Sequence, residues 1–147
     1  MPDKPPFFFQ QTENSCAVAC LRMVLATFEI ERTEEELRLL CDCGSEGTEA
    51  LKLVDAARRA GFTGTRKYNL SIGELAAELT RGKHPIVYVR TRLTGTSFLS
   101  QHAFVVINIT QETVTVLDPW VGERQILIAE FERDWRRMRG LTILCQK

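Results

Sequence analysis

The chain has 147 residues, with 19 Lys and Arg balanced against 19 Asp and Glu. That length suffices for one domain with its own core, spanning residues 1–147, and the balanced charge leaves no basic footprint for nucleic acid. At 44% apolar the composition is globular, no apolar run reaches the length of a membrane span, and five irregularly spaced cysteines fit free thiols in a reducing, cytoplasmic setting.

Residues 1–9 form a proline-rich arm ending in Phe7-Phe8-Phe9, an apolar triplet expected to fold back on the domain, and residues 1–6 do not read as a signal segment. A polar loop then runs into a helix over 15–28. Asn14 and Ser15 are its N-cap residues, and Ala17, Cys20, Leu21, Val24, Leu25 and Phe28 recur at helical spacing. Thr33 and Glu36 form a capping box opening a second helix, with Leu37, Leu40 and Cys41 facing in. Thr48 caps a third, with Leu51 and Val54 inward and Gly61 just past its end. Residues 62–68 look extended. Ser71 and Glu74 box a fourth helix with Ile72, Leu75, Ala76 and Leu79 on its apolar face and Gly82 at its end.

From there the pattern changes to strands, over 85–90, 102–109, 114–117, 125–128 and 141–145, with a short helix at 129–135. Residues 92–101 form a Gly/Ser/Thr loop, and Asp118-Pro119 must turn because proline lacks an N–H and restricts the residue before it. Helices first and strands later imply an α+β fold, a helical lobe facing an antiparallel sheet.

Cys16 sits where the polar loop meets the first helix. Backbone N–H groups and the helix dipole favour a negative charge there, and cysteine pKa values fall at helix N-termini. Cys20, one turn further, fits instead a small buried hydrophobe. A nucleophilic thiol needs a base, and the chain has only two histidines. His102 opens the strongest strand, and Asp118 ends the next strand of the same hairpin, where it can orient the ring through its second nitrogen. Gln10, on the loop before the helix, can donate its amide to a developing oxyanion together with the Cys16 backbone N–H.

Gln10, Cys16, Cys20-Leu21 and Met23, then His102-x-Phe104-Val105-Val106, then Leu117-Asp118-Pro119 with Gly122, together resemble peptidase family C39. These are papain-like cysteine peptidases that process bacteriocin leader peptides, often as the N-terminal domain of an ABC exporter. The resemblance covers nearly the whole chain. It implies a papain-like fold, with Cys16 as nucleophile, His102 as general base, Asp118 as orienter and Gln10 as oxyanion donor. It also implies cleavage after a small-residue pair, typically Gly-Gly, at the end of a leader. Two departures stand out: Ser15 and Ala17 occupy positions where the family usually has an acidic residue and glycine, and no exporter follows, so an ABC exporter partner would act in trans.

No cofactor and no metal are expected. Cys41, Cys43, His84 and Cys145 do not have the spacing of the usual zinc modules. Trp120 either walls the cleft or packs the hairpin end, and the basic run 133–139 reads as a solvated helix face. The expected activity is cysteine peptidase action on a peptide or leader. A non-cleaving leader-binding module of the same fold is the first rival, which a covalent thiol probe separates. A papain-like acyl transferase or amidase is the second, which peptide libraries separate.

Overall fold

The computed structural model describes residues 4–44, 47–93 and 95–147; the first three residues of the arm and Thr94 of the 92–101 loop lie outside them. Helices α1 (Cys16–Thr27), α2 (Glu34–Cys41) and α3 (Ala50–Arg59) come first. Strand β1 (Arg66–Asn69), helix α4 (Ile72–Thr80), and strands β2 (Ile86–Arg92), β3 (Leu99–Ile109), β4 (Thr113–Asp118) and β5 (Gly122–Leu127) follow, then α5 (Ile128–Arg136) and β6 (Leu141–Leu144). The strands form one antiparallel sheet in the order β1-β6-β2-β3-β4-β5.

Alternation along the strands sorts their side chains onto two faces. Ile86, Tyr88, Ala103, Val105 and Ile143 face a core shared with α1, α2 and α3. Val87, Val89, Phe104, Val106 and Val116 face a second core with Leu75 of α4 and Phe131 and Trp135 of α5. The helical half packed on an antiparallel sheet is the expected α+β arrangement, with two further helices on the sheet's other face. Helix α1 is the axis of the first core: Ala17 to Leu25 are buried except Arg22, whose guanidinium lies 3.9 Å from the Phe8 ring centre. Phe7 and Phe8 pack against that core as expected of the arm, whereas Phe9 stays exposed.

Both capping boxes form: Thr33 accepts from the Glu36 N–H and Ser71 from the Glu74 N–H, with each glutamate bonding back. Other expectations shift. The N-cap of α3 is Glu49, not Thr48, and Leu51 is exposed while Leu53, Val54, Ala56 and Ala57 are buried. Leu51 lies about 200° round the helix from Leu53, so both cannot face one core. Only Arg66–Asn69 of the extended stretch pairs as a strand. Strand β3 begins at Leu99 inside the expected loop, because Arg92 and Thr91 of β2 pair with Leu99 and Ser100. That ladder is made by backbone groups, to which the polar side chains of the segment give no clue.

Candidate active site

Cys16 is the first residue of α1. Ser15 stands at the N-cap but caps no helix N–H; its hydroxyl turns back to Thr12, accepting from that residue's N–H at 3.0 Å and donating to its carbonyl at 3.2 Å. With no side chain capping α1, the N–H groups of its first turn remain directed at whatever negative charge forms beside Cys16.

Pairing of β3 with β4 starts at Val105 opposite Leu117. Before that pair the strands part, and the His102 ring crosses the gap to Asp118, with Nε2 2.7 Å from Oδ1. Both residues are 2% exposed. With Nε2 engaged, Nδ1 is the ring nitrogen left for Cys16, whose sulfur interacts with the imidazole. Burial alone would lower the His102 pKa, but the hydrogen bonds to Asp118 and Cys16 and the charges of both outweigh it and hold the group up to about 9. Burial pulls Asp118 the other way, and the bonds from His102, the Trp120 N–H and Arg124 keep its carboxyl below the usual range.

A protonated ring is the form that supports a thiolate, and it disappears as pH rises through about 9. Asp118→Asn removes the charge that holds the proton but leaves an amide able to hold the ring. The variant should retain measurable turnover, and the alkaline limb of its pH–rate profile should move to lower pH. An unmoved limb with full activity would leave Asp118 serving only the turn at Pro119.

That turn is itself tied to the loop before Cys16: the Gln10 N–H donates to the Pro119 carbonyl at 2.9 Å. Gln10 therefore lies next to the Asp118 turn. Its side-chain amide donates to the Thr12 carbonyl at 2.8 Å and the Glu13 carbonyl at 3.3 Å, and its buried Oε1 has no partner among the described residues. In this structure the amide nitrogen is thus engaged by the loop's own carbonyls, and an oxyanion would have to compete with them for it.

A small cavity of about 50 Å³ opens in front of Cys16 and His102, framed by Glu13, Asn14, Ala17, Gly47, Thr48, Tyr88 and Gln101. Gly47 takes φ +92°, a conformation suited to glycine. The Tyr88 hydroxyl, buried behind it, donates to the Thr48 carbonyl at 2.9 Å. Trp120 contributes its backbone N–H to Asp118 Oδ1 at 2.9 Å, and its side chain does not frame this cavity.

The other thiols are placed differently. Burial pushes Cys41 and Cys145 up to about 12, and Cys20 is also raised by burial and by the charges of Cys16 and Asp118. Cys43 is half-buried and its sulfur donates weakly to the Asn14 carbonyl at 3.6 Å. Among the described residues no group of three or more His, Cys, Asp or Glu is arranged to hold a metal ion.

Two residues of this neighbourhood escaped the sequence reading. Arg124 donates from Nε to Asp118 Oδ2 at 3.0 Å. Glu34, fully buried, accepts the Gln11 N–H on both oxygens at 3.0 and 3.1 Å. The β4–β5 hairpin register carried a signal for the first, since Asp118 and Arg124 fall on one face; nothing local marked the second.

A helix-borne cysteine against a buried imidazole–carboxylate pair is an arrangement that thiol hydrolases use. Residues 4–147 match the Peptidase C39 family, and the chain belongs to that family. It is 27% identical over 128 residues to the lactococcin-G-processing and transport ATP-binding protein LagD of Lactococcus lactis subsp. lactis, covering 86% of this chain but 17% of that protein's length. Among solved structures it is similar to the peptidase domain of Streptococcus ComA, a bifunctional ABC transporter involved in a quorum-sensing pathway. There the TM-score is 0.79 at 23% identity, over 99% of this chain and 100% of that one. It is also similar to a double-glycine-motif protease from an AMS/PCAT transporter in complex with its leader peptide, with TM-score 0.72 at 23% identity, over 95% and 89% of the two chains. No helix among the described residues is long and apolar enough to cross a membrane.

Proposed function

We propose that this chain is a cysteine peptidase unit that cleaves a peptide or leader after a small-residue pair of the Gly-Gly type. The observation that carries the reading is the buried 2.7 Å bond between His102 and Asp118 set against Cys16 at an uncapped helix N-terminus. Cys16 attacks the scissile carbonyl as thiolate. His102, holding the proton at Nδ1, delivers it to the leaving amine, and the acyl-enzyme is then hydrolysed by water that the same ring activates. Asp118 orients the ring, and the Cys16 N–H and the Gln10 amide receive the oxyanion. The narrow cavity, walled by the Ala17 methyl and by Gly47, suits small residues beside the bond. The names of the relatives, a lactococcin-processing transporter and a protease bound to its leader, support leader processing and an ABC exporter as partner.

The test is mass spectrometry of double-glycine and scrambled leader peptides after incubation with the protein and with Cys16→Ala. Cleavage after the glycine pair by the wild type alone is expected; leader binding without cleavage would make the chain a recognition module. In parallel, Cys16 should react with limiting iodoacetamide much faster than the other four cysteines below pH 8. Peptide mapping that finds Cys16 and Cys43 equally labelled would remove the activated thiol.

A further inference from the structure

Asp118 is buried, yet its carboxylate has more than one cation to satisfy. Oδ1 receives His102 Nε2 and the Trp120 N–H, while Oδ2 receives Arg124 Nε from the neighbouring strand. Arg124 stands opposite Val116 in the ladder and reaches diagonally toward the hairpin end. Its guanidinium carbon lies 5.3 Å from the centre of the Phe104 ring. Phe104 in turn meets the His102 ring edge-to-face at 5.2 Å. One arginine therefore grips the free oxygen of the orienting carboxylate and backs the aromatic wall of the imidazole. Only a third of its side chain is exposed, toward a 360 Å³ cleft on the α5 side of the sheet.

We propose that Arg124 is a positioning residue of the catalytic pair: it fixes the Asp118 carboxylate and tempers that carboxylate's grip on the His102 ring. The inference rests on the reading of His102 as the catalytic acid–base. Two physical effects follow from the geometry. The Nε bond sets the carboxylate plane, so Oδ1 stays aimed at the ring. The fixed positive charge shares Asp118 with the imidazolium, so the ring holds its proton less tightly than it would beside Asp118 alone.

The groups acting on His102 are Cys16 on α1 and Asp118 on β4; Tyr88 on β2 and Glu13 line the same cavity, and Arg124 on β5 reaches the ring through Asp118. Arg124 and Arg92 both line the far cleft. From α5, Glu130 lines that cleft with Asp134, which is already paired with Arg133 and Arg137. None of these groups replaces Arg124 on Asp118 Oδ2.

The sign is what separates this role from scaffolding. Asp118→Asn takes away an anion and lowers the ring's hold on its proton. Arg124→Gln takes away a cation and strengthens that hold. The experiment measures the His102 ring pKa by NMR of 13C-histidine-labelled protein, easily assigned with only two histidines, alongside pH profiles of kcat/KM. In Arg124→Gln the ring pKa and the alkaline limb should rise by about one unit. In the same variant kcat/KM should fall roughly tenfold, the scale on which groups supporting direct ligands act elsewhere. Arg124→Lys, which keeps the charge but not the fork, should leave the ring pKa near wild type while kcat/KM still falls. A ring pKa unchanged or lowered in folded Arg124→Gln would overturn the inference. If Asp118→Asn shifts the ring as expected and Arg124→Gln does not, the inference alone fails. If no peptide is cut by the wild type, the peptidase reading fails, and the NMR titration still decides whether Arg124 governs the pair.

Discussion

Replacing His102 with alanine should cut peptide turnover by roughly 10²–10⁴-fold, the range a positioned acid–base group contributes, and leave little beyond background. The structure gives no substitute: the other histidine, His84, does not frame the cavity at Cys16. The protein should nonetheless fold, because Asp118 keeps the Trp120 N–H and Arg124 as partners. Two accompanying results make the assignment specific. Added imidazole should restore part of the activity, since the deleted ring leaves a space beside Cys16. The pH dependence of stability should also change. The folded pKa of His102 is raised to about 9, so its contribution is fully present below the unfolded value of about 6.5 and is lost as pH rises through 9. Wild-type melting should fall across that window relative to His102→Ala. Turnover of the variant within tenfold of wild type would remove His102 from the chemistry.

Gln10→Ala should lower turnover by roughly 10²–10³-fold if the amide receives the oxyanion. The resting geometry offers a competing explanation for any loss, because the same amide braces the Thr12 and Glu13 carbonyls before Cys16. The rate of Cys16 alkylation separates the two, since alkylation forms no oxyanion. A turnover loss with unchanged alkylation assigns Gln10 to the transition state. A parallel loss in both makes it a brace for the loop, and turnover within a few-fold of wild type takes it out of the site.

Much of this architecture was legible because it is written in local signals. The two capping boxes, the apolar run after Cys16 and the β-branched runs at Ile86 and Ala103 each specify an element without reference to the rest of the chain. His102 and Asp118 were legible as a pair because a tight hairpin joins their strands. What escaped depends on pairing across distance. The face of α3 is chosen by what packs on it, so Leu51 could not be told from Leu53. The extra length of β3 exists only because β2 continues to Arg92. Glu34 looks like one of three acidic residues in the first turn of α2, and only the folded chain brings Gln11 to it.

Adjacent backbone amides at Gln10 and Gln11 are held by opposite halves of the molecule, the first by the hairpin turn at Pro119 and the second by Glu34 at the head of α2. The loop ahead of Cys16 is therefore a seam, stitched on both sides. It comes undone whenever either side opens, so its lifetime is that of the weaker half rather than of the whole fold. Heating that opens one half alone would free the loop, and with it the setting of Cys16, while the other half still stands.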